Sequence, residues 1–536
     1  MTQRRLKFWG WGHEDDLLSA DDQEWLAKGW ARRFGVSGFE ATPPPAEEEI
    51  ALRAPRIAPP ASLAPLCATD RYERLLHCYG RSFPDSARMF ARDFSNPPDV
   101  IAYPQCEQDV VDVLDWCDRA GAVVIVFGGG TSVVGGVEPP RGADGRPVVT
   151  VDLKRLGRLL EVDPVSQAAR FQAGVLGPDL ERQLRPHGLT LRHFPQSFEF
   201  STLGGWIATR AGGHFATIYT HIDDLVEGTR VVTPMGVLES RRLPASGAGP
   251  SPDRMILGSE GTLGIITEAW VRLRARPRFR SATTVRFPDL FRAADAIRQI
   301  AQAGLYPANC RVLDNEEAAI TESGDGSHAV LVLTFESADH PLDAWMARAL
   351  EICQDAGGEP DRAALDREDS HRTGAAGQWR DRFLRGPWFR ENLTARGIIR
   401  ETFETAITWE RFPALHEAVM AATRDAVRRA TGREGSVTCR FTHVYRDGPA
   451  PYFTFHGLGR KEAMLEQFWE IKAAASEALI ANGGTITHHH AVGRDHRRWY
   501  DRQRPALFAR ALGAAKRALD PKGMLNPGVL IDPLAP

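Results

Sequence analysis

The apolar positions of residues 94–276 alternate between two periods. Val100–Tyr103, Ala122–Phe127, Val148–Leu153, Leu159–Val162 and Ala168–Gly174 are short apolar runs rich in β-branched residues and read as strands. Between the first two, Glu107–Ala120 carries Val110, Val111, Val113, Leu114, Trp116 and Cys117 at helical spacing, which makes a strand–helix–strand unit. Gly177–His187, with Leu180 and Leu184 on one face, predicts a further helix, and Asp224–Leu238 predicts a hairpin that turns at Met235-Gly236.

From residue 277 to 470 the pattern changes. Helical spacing over Leu290–Gln302, Pro341–Ala356 and Trp409–Ala430 alternates with strands at Ala329–Phe335, Thr438–Tyr445 and Tyr452–His456. That predicts an α+β cap on an antiparallel sheet. The stretch Asp361–Gly397 is highly charged and carries no readable period. From 471 to 536 the order is a helix (Ile471–Ala481), the turn Asn482-Gly483-Gly484, a strand-like segment Thr485–Val492, and a helix Pro505–Leu519 with proline in its first turn. Residues 1–93 are a mixed helical and extended lead-in. Trp9, Trp11, Trp25 and Trp30 punctuate it, and Pro43–Pro45 and Pro59–Pro60 mark extended linkers. Tryptophans so placed dock an arm onto the body of a protein; contact with a bilayer surface is the other reading. Four segments are expected, then: 1–93, 94–276, 277–470 and 471–536.

Composition narrows the classes. A chain of 536 residues, 43% hydrophobic and 25% charged, is ordinary globular material with room for several cores. A net charge of −3 offers no basic field for nucleic acid. No apolar run reaches the ~18 residues of a membrane span, and the first residues lack a signal-peptide core. The seven cysteines are scattered, without a CxxC, as in a reducing cytosol. Seven lysines among 66 basic residues leave 59 arginines, the bias of a GC-rich bacterial genome, so a bacterial cytoplasm is expected.

Candidate chemistry begins at Gly128, Gly129 and Gly130, followed by Thr131 and Ser132. Three residues without Cβ let a ligand lie on the backbone, and successive amides in such a turn can aim at one anion. A pyrophosphate cradle and a plain tight turn both fit. No GxGxxG is present, which excludes a Rossmann phosphate site. Two more hydroxyl- and glycine-rich loops, Ser197–Trp206 and Gly258–Thr267, suggest one extended cofactor across several turns. Late in the chain stand His488, His489 and His490. Read as a strand, His488 and His490 share one side and His489 takes the other. Such histidines suit acid–base work, an anion, a metal or a polar interface. A metal would want a third ligand, and none is near in sequence.

The order FGGGTS, EFSTLGGW, TRAGG, SEGTLGIITEA resembles the FAD-binding domain of the vanillyl-alcohol oxidase superfamily. FWGWGHED, RVLDN, TCRFTHVY and ANGGTITHHHAVG narrow the resemblance to the alkyldihydroxyacetonephosphate synthase (alkylglycerone-phosphate synthase) family, over almost the whole chain in order. The resemblance implies an α+β fold: a two-subdomain FAD-binding unit plus a cap with an antiparallel sheet. It implies non-covalent FAD, since no histidine or cysteine sits beside the first loop. The implied flavin contacts are Val126, Phe127, Gly128, Gly129, Gly130, Thr131 and Ser132. A second group is Gln196 (an aspartate in the family), Ser197, Phe198, Glu199, Phe200, Ser201 and Thr202. A third is Thr209, Arg210, Ala211 and Gly212, and a fourth Glu260, Gly261, Thr262, Leu263, Gly264, Ile265 and Ile266.

Tyr452 falls where the family has its proton-transferring tyrosine, with a phenol that neighbouring cations are expected to acidify. His488, His489 and His490 complete the implied base system. Arg390 matches a phosphate-binding arginine, Arg311 a functional arginine, and Thr402 a family serine; Arg440 is a candidate second anion contact, a solvated or salt-bridged side chain being the more common reading. Ala491 stands where the family usually has glycine. No metal is implied, because the Ser-Glu-His-Gly type segment of the superfamily's metal-bearing hydroxy-acid dehydrogenases is replaced by Thr487-His488-His489-His490-Ala491. The implied reaction replaces the acyl group of acyl-dihydroxyacetone phosphate by a fatty alcohol, forming the ether bond of ether lipids without net redox. The cap helices are expected to supply an apolar tunnel. A homodimer and peripheral membrane contact are implied too, whereas the C-terminal DPLAP departs from the address of the peroxisomal members. An FAD-dependent oxidase or dehydrogenase of a 2-hydroxy acid is the alternative, and a flavin-binding scaffold a third reading.

Overall fold

The computed structural model describes residues 4–140, 145–365 and 386–532. Most of the charged stretch 361–397 and the final residues read for a sorting address lie outside them. Three main sheets organise the chain. The first is four-stranded, in the order Cys67–Ala68, Val100–Ala102, Val148–Asp152, Val123–Phe127, the last three parallel. The helix Glu107–Ala120 joins Val100–Ala102 to Val123–Phe127, parallel strands with Val148–Asp152 between them, and buries Val110, Val113, Leu114, Trp116 and Cys117; Gly121, at φ 64°, ends it. The second sheet is five-stranded and antiparallel, in the order Leu159–Asp163, Ala168–Gln172, Ile265–Arg272, Val226–Thr233, Gly236–Glu239. The glycine loop leaves the first sheet after Phe127, and the loops after Pro195 and Ser259 flank the second, so the three expected loops converge where these sheets meet.

The third sheet, seven-stranded and antiparallel, is the cap. Its order is Glu359–Pro360, Phe279–Phe287, Ala329–Ser337, Asn309–Leu313, Ser436–Val444, Pro449–Leu458, Ile398–Glu404. Its two faces differ in kind. Cys310, Val312, Val437, Cys439, Phe441, Phe453, Phe455, Ile399 and Phe403 point one way, into a single core with the helices Leu290–Gln302, Asp343–Asp355, Phe412–Thr431 and Met464–Ala481. Their neighbours in sequence, Arg311, Arg440, Tyr452, Arg400 and Thr402, point the other way, into the cleft against the loops of the first two sheets. The period of two that puts apolar side chains in the core therefore puts charged ones in the site. Those four helices cover the far face of the sheet, away from the cleft, whereas residues 386–395 border it through Gly386, Pro387 and Arg390.

The lead-in is bound at both ends. Helix Ala20–Phe34, capped by Ser19 and ended by Gly35 at φ 63°, packs Leu26 and Trp30 against Phe389, Leu393 and Ile398. Trp30 lies 4.1 Å from the His456 ring, and Trp11 borders the cleft. The chain also ends where it began its fold. Val124 donates to the Met524 carbonyl at 2.8 Å, and Asn526 donates to the Val124 carbonyl at 2.8 Å, so residues 524–526 lie alongside the strand that feeds the glycine loop.

One expected element is absent. Thr485–Val492 is an irregular loop beside Ile398–Glu404, the edge strand of the cap sheet. Its amides go to a side chain instead of a neighbouring strand: the Glu404 carboxylate accepts from the backbone N–H groups of His488, His489 (3.1 Å) and His490 (2.8 Å) and from the Thr487 hydroxyl (2.8 Å). The β-branched residues gave the strand pattern, but the buried carboxylate sets the backbone.

Candidate active site

The cleft between the first two sheets and the cap is lined on one side by backbone. Gly128, Gly129, Gly130, Gly204, Gly205, Gly212, Gly213, Gly261 and Gly264 all face it. Several are obligatory. A Cβ at Gly129 would overlap the Phe200 carbonyl, and Gly261 (φ 72°) would press a side chain to 3.1 Å from Val126. The hydroxyls partly serve the loops themselves. Ser132 Oγ accepts from Gly136 N at 3.0 Å and Thr202 Oγ1 accepts from Gly205 N at 3.2 Å, which leaves both O–H groups to donate; Thr209 and Ser201 donate to the Gly205 and Ser197 carbonyls.

Val126, Thr131, Gln196, Ser197, Ala211, Glu260 and Ile266 also line the cleft. Eight of the implied contacts do not. Phe127 packs 4.4 Å from His77, Phe198 stacks on Trp206, and Phe200 sits among Trp11, His13 and Trp388. Arg210 pairs with Asp223, Thr262 donates to the Ser259 carbonyl, Leu263 and Ile265 are core, and Glu199 is off the lining. These support the loops from behind. Glu260 does double work: its carboxylate accepts from Val492 N (2.9 Å) and Gly493 N (2.8 Å), strapping the histidine loop to the cofactor wall. Burial pushes its pKa up to about 7 against those two bonds.

The opposite wall is side chain. Arg311, Arg390, Arg400 and Arg440 converge on it with Tyr452 and Thr402. Glu317 pairs with Arg440, whose guanidinium lies 4.0 Å over the Tyr452 ring. Arg400 donates to the Gly386 carbonyl at 3.1 Å, and Arg390 to that of Arg81. Burial pulls Arg311 down to about 9, with Arg440 adding to it, and Arg400 down to about 10, with Arg390 and Arg440 adding. Charge crowded this way in a low dielectric calls for an anion. The expected acidification of Tyr452 is not found. Burial raises the phenol, and Arg440, Thr402, Arg400 and Arg390, pulling the other way, do not cancel it. Tyr452 therefore holds its proton at neutral pH.

His489 stacks 5.9 Å from Tyr452 and His490 meets the same ring edge-on at 5.5 Å; both line the cleft, while His488 stands behind them. Burial keeps all three imidazoles neutral, His488 falling to about 3. Beneath them Glu404 stays ionised: burial alone would raise it, but the histidine loop, through its three backbone amides and the Thr487 hydroxyl, holds it below the usual carboxylate range. A third imidazole does arrive, from His443, and nitrogens of His443, His488 and His489 lie within 4.8 Å of one another. All but His489 Nε2 also make hydrogen bonds. His443 Nε2 donates to the Gly213 carbonyl at 3.2 Å and its Nδ1 meets Thr442 Oγ1 at 3.1 Å; His488 uses Nδ1 on His489 and Nε2 on Tyr445.

Arg400, Glu404, His443 and Tyr445 escaped the sequence reading. A signal for two of them existed: Arg400 and Glu404 stand two residues either side of Thr402, so a strand through Thr402 puts all three on one face. His443 and Tyr445 lie in the TCRFTHVY segment without a pattern of their own.

The chain has known relatives. Residues 98–240 match the family described as FAD binding domain, and 276–530 that described as FAD linked oxidases, C-terminal domain. An alkyldihydroxyacetonephosphate synthase of Trypanosoma brucei brucei is 32% identical across 86% of this chain and 78% of its own. The chain belongs to the alkyldihydroxyacetonephosphate synthase family. A Dictyostelium discoideum synthase is 31% identical over the same shares of each chain. A solved alkyldihydroxyacetonephosphate synthase superposes with a TM-score of 0.80, at 25% identity, over 97% of this chain and 98% of that one. The vanillyl-alcohol oxidase-type fold with its α+β cap, and FAD as the cofactor, are thereby established for this family member.

Proposed function

We propose that this family member is an FAD-dependent alkylglycerone-phosphate synthase, which replaces the acyl chain of acyl-dihydroxyacetone phosphate by a fatty alcohol. One observation carries the reading: a single face of the cap sheet sets Arg311, Arg400, Arg440 and Tyr452, with Arg390 and the histidine loop beside them, opposite the glycine wall. Bound FAD supplies the reactive ring that lets the substrate's C1 trade one oxygen substituent for another without net redox. The protein does the rest. Arg390, Arg400, Arg311 and Arg440 receive the phosphate, whose oxygens match guanidinium forks. Thr402 steadies the Tyr452 hydroxyl. Tyr452 holds the proton that moves at C1, and neutral His489 and His490 beside it take and return protons as the exchange runs. Glu404 fixes the backbone from which those rings project. FAD is held without a covalent link, and a homodimer in a bacterial cytoplasm in peripheral contact with a membrane belongs to the same proposal.

The test is anaerobic. Palmitoyl-dihydroxyacetone phosphate and hexadecanol are added to the yellow protein while flavin absorbance and free fatty acid are followed. Fatty acid release with the flavin ending oxidised supports the synthase. An inert mixture, with bleaching by a 2-hydroxy acid, would replace it by a flavin dehydrogenase.

A further inference from the structure

Behind His489 runs a row of hydrogen-bonded groups that this reading leaves without a task. His489 Nδ1 lies 2.9 Å from His488 Nδ1, and His488 Nε2 lies 2.6 Å from Tyr445 Oη. Tyr445 Oη in turn lies 3.2 Å from Thr220 Oγ1 and 3.4 Å from His221 Nδ1. One end of the row, His489, borders the cleft. The other end, Tyr445 and His221, is half-buried and adjoins the exposed Asp224 and Arg446. The row therefore spans from the site to the edge of the molecule.

Chemistry limits its direction. His221 Nε2 faces the His488 carbonyl at 2.9 Å, and only an N–H can do so. In neutral His221 the Nδ1 is then an acceptor, turned toward the Tyr445 and Thr220 hydroxyls. His488 and His489 are neutral rings with one N–H each, and two facing nitrogens 2.9 Å apart share one hydrogen. Of the two tautomer patterns that satisfy these contacts, the one that leads outward is His489 Nδ1–H to His488, His488 Nε2–H to Tyr445, and the Tyr445 O–H to Thr220. His489 Nε2 is the ring nitrogen left for the cleft. The charged groups around the row are Glu404, Asp224 and Arg210, with His443 packed on the rings of His488 and His489.

The proposed reaction leaves a proton over. The ester C1–O bond breaks and the fatty carboxylate departs with the electron pair. The ether C1–O bond forms and the alcohol gives up its O–H proton. Near neutral pH the fatty acid is ionised, so each turnover frees one proton in an enclosed site.

We propose that His489, His488 and Tyr445 form the relay by which that proton leaves the cleft. His489 Nε2 accepts it and passes its Nδ1 hydrogen to His488 Nδ1. His488 passes its Nε2 hydrogen to Tyr445 Oη, and the Tyr445 hydroxyl hydrogen goes to the Thr220–His221 end and solvent. Each group gains one hydrogen and loses one, and every ring ends neutral. The inference rests on the exchange reading above, which supplies the proton.

Tyr445→Phe tests it, keeping the ring and removing the relay oxygen. The expected result is kcat lowered by about tenfold, with KM for acyl-dihydroxyacetone phosphate and flavin content unchanged. Turnover of the variant should rise with added imidazole, a diffusible base that leaves the wild type unmoved. A packing defect would not respond to imidazole. Should that variant fail to fold, Thr220→Val interrupts the outer end and is read the same way. Full activity in the variant, or a loss that imidazole does not restore, overturns the relay. So does wild-type turnover that a chelator abolishes, which would make the histidines metal ligands. A wild type that releases no fatty acid overturns the exchange reading instead, and with it the proton the relay carries.

Discussion

The two walls of the cleft follow opposite plans. The cofactor wall is backbone: contiguous glycine loops, held apart from side chains by close packing, with hydroxyls folded back to brace them. The substrate wall is side chain: Arg311, Arg400, Arg440 and Tyr452 come from four strands far apart in sequence and meet only because the sheet aligns them. A wall of backbone tolerates any long flat dinucleotide and depends on the absence of Cβ atoms. A wall of side chains encodes one substrate and depends on a rigid sheet behind it. Changes on one wall should therefore move a different observable from changes on the other.

The largest separation is expected at Tyr452. Tyr452→Phe should cut fatty acid release by about 10³-fold while the protein stays yellow. Flavin loss in that variant would mean that the walls are not independent. Gly129→Ala, on the other wall, should do the reverse. The methyl group has no room against the Phe200 carbonyl, and about 3 kcal/mol of stability together with flavin binding should go, read by melting and by absorbance. Arg400→Met should raise KM for the phosphate substrate about tenfold and leave flavin content alone; an unchanged KM would remove Arg400 from the phosphate site.

That division also explains what the sequence made legible. The glycine loops are contiguous, so their chemistry is spelled out in a row, and the strand before them and helix after Cys106 carry clean periods. The cap's elements are readable, but its site is not, because Arg311, Arg400, Arg440 and Tyr452 meet only through sheet register. The histidine segment was misread as a strand for a related reason. What shapes it is a carboxylate 84 residues away, the Glu404 that the His488 amide contacts, and no local pattern reports that.

Acidification should loosen the substrate wall. The folded pKa of His488 is depressed to about 3 by burial, and His489 and His490 are lowered too. Groups depressed in the folded state contribute stability that is fully present above the ordinary histidine pKa of about 6.5 and is lost as pH falls toward the folded value. The Tm should thus drop as pH falls from 7 toward 4. Glutamine at 488 and 489 together should flatten that slope; an unaltered slope would acquit the loop. The smallest effect is at Ala491, whose φ of 73° suits glycine. Ala491→Gly should stabilise by about 1 kcal/mol, seen as a slightly higher Tm with no change in turnover.

The strand-like contact of residues 524–526 with Val124 has a consequence for how the protein is made. The glycine loop belongs to the first third of the chain, yet Met524 and Leu525 complete the core beneath it, and Val529, Leu530 and Ile531 complete the core of the neighbouring sheet. On a ribosome working from the N-terminus, the nucleotide-binding half is translated early and then waits, unfinished, through the synthesis of the whole cap. Flavin loading becomes a late event, gated by the emergence of residues 524–531. Stalled or shortened chains should leave the ribosome colourless however well their cap has folded.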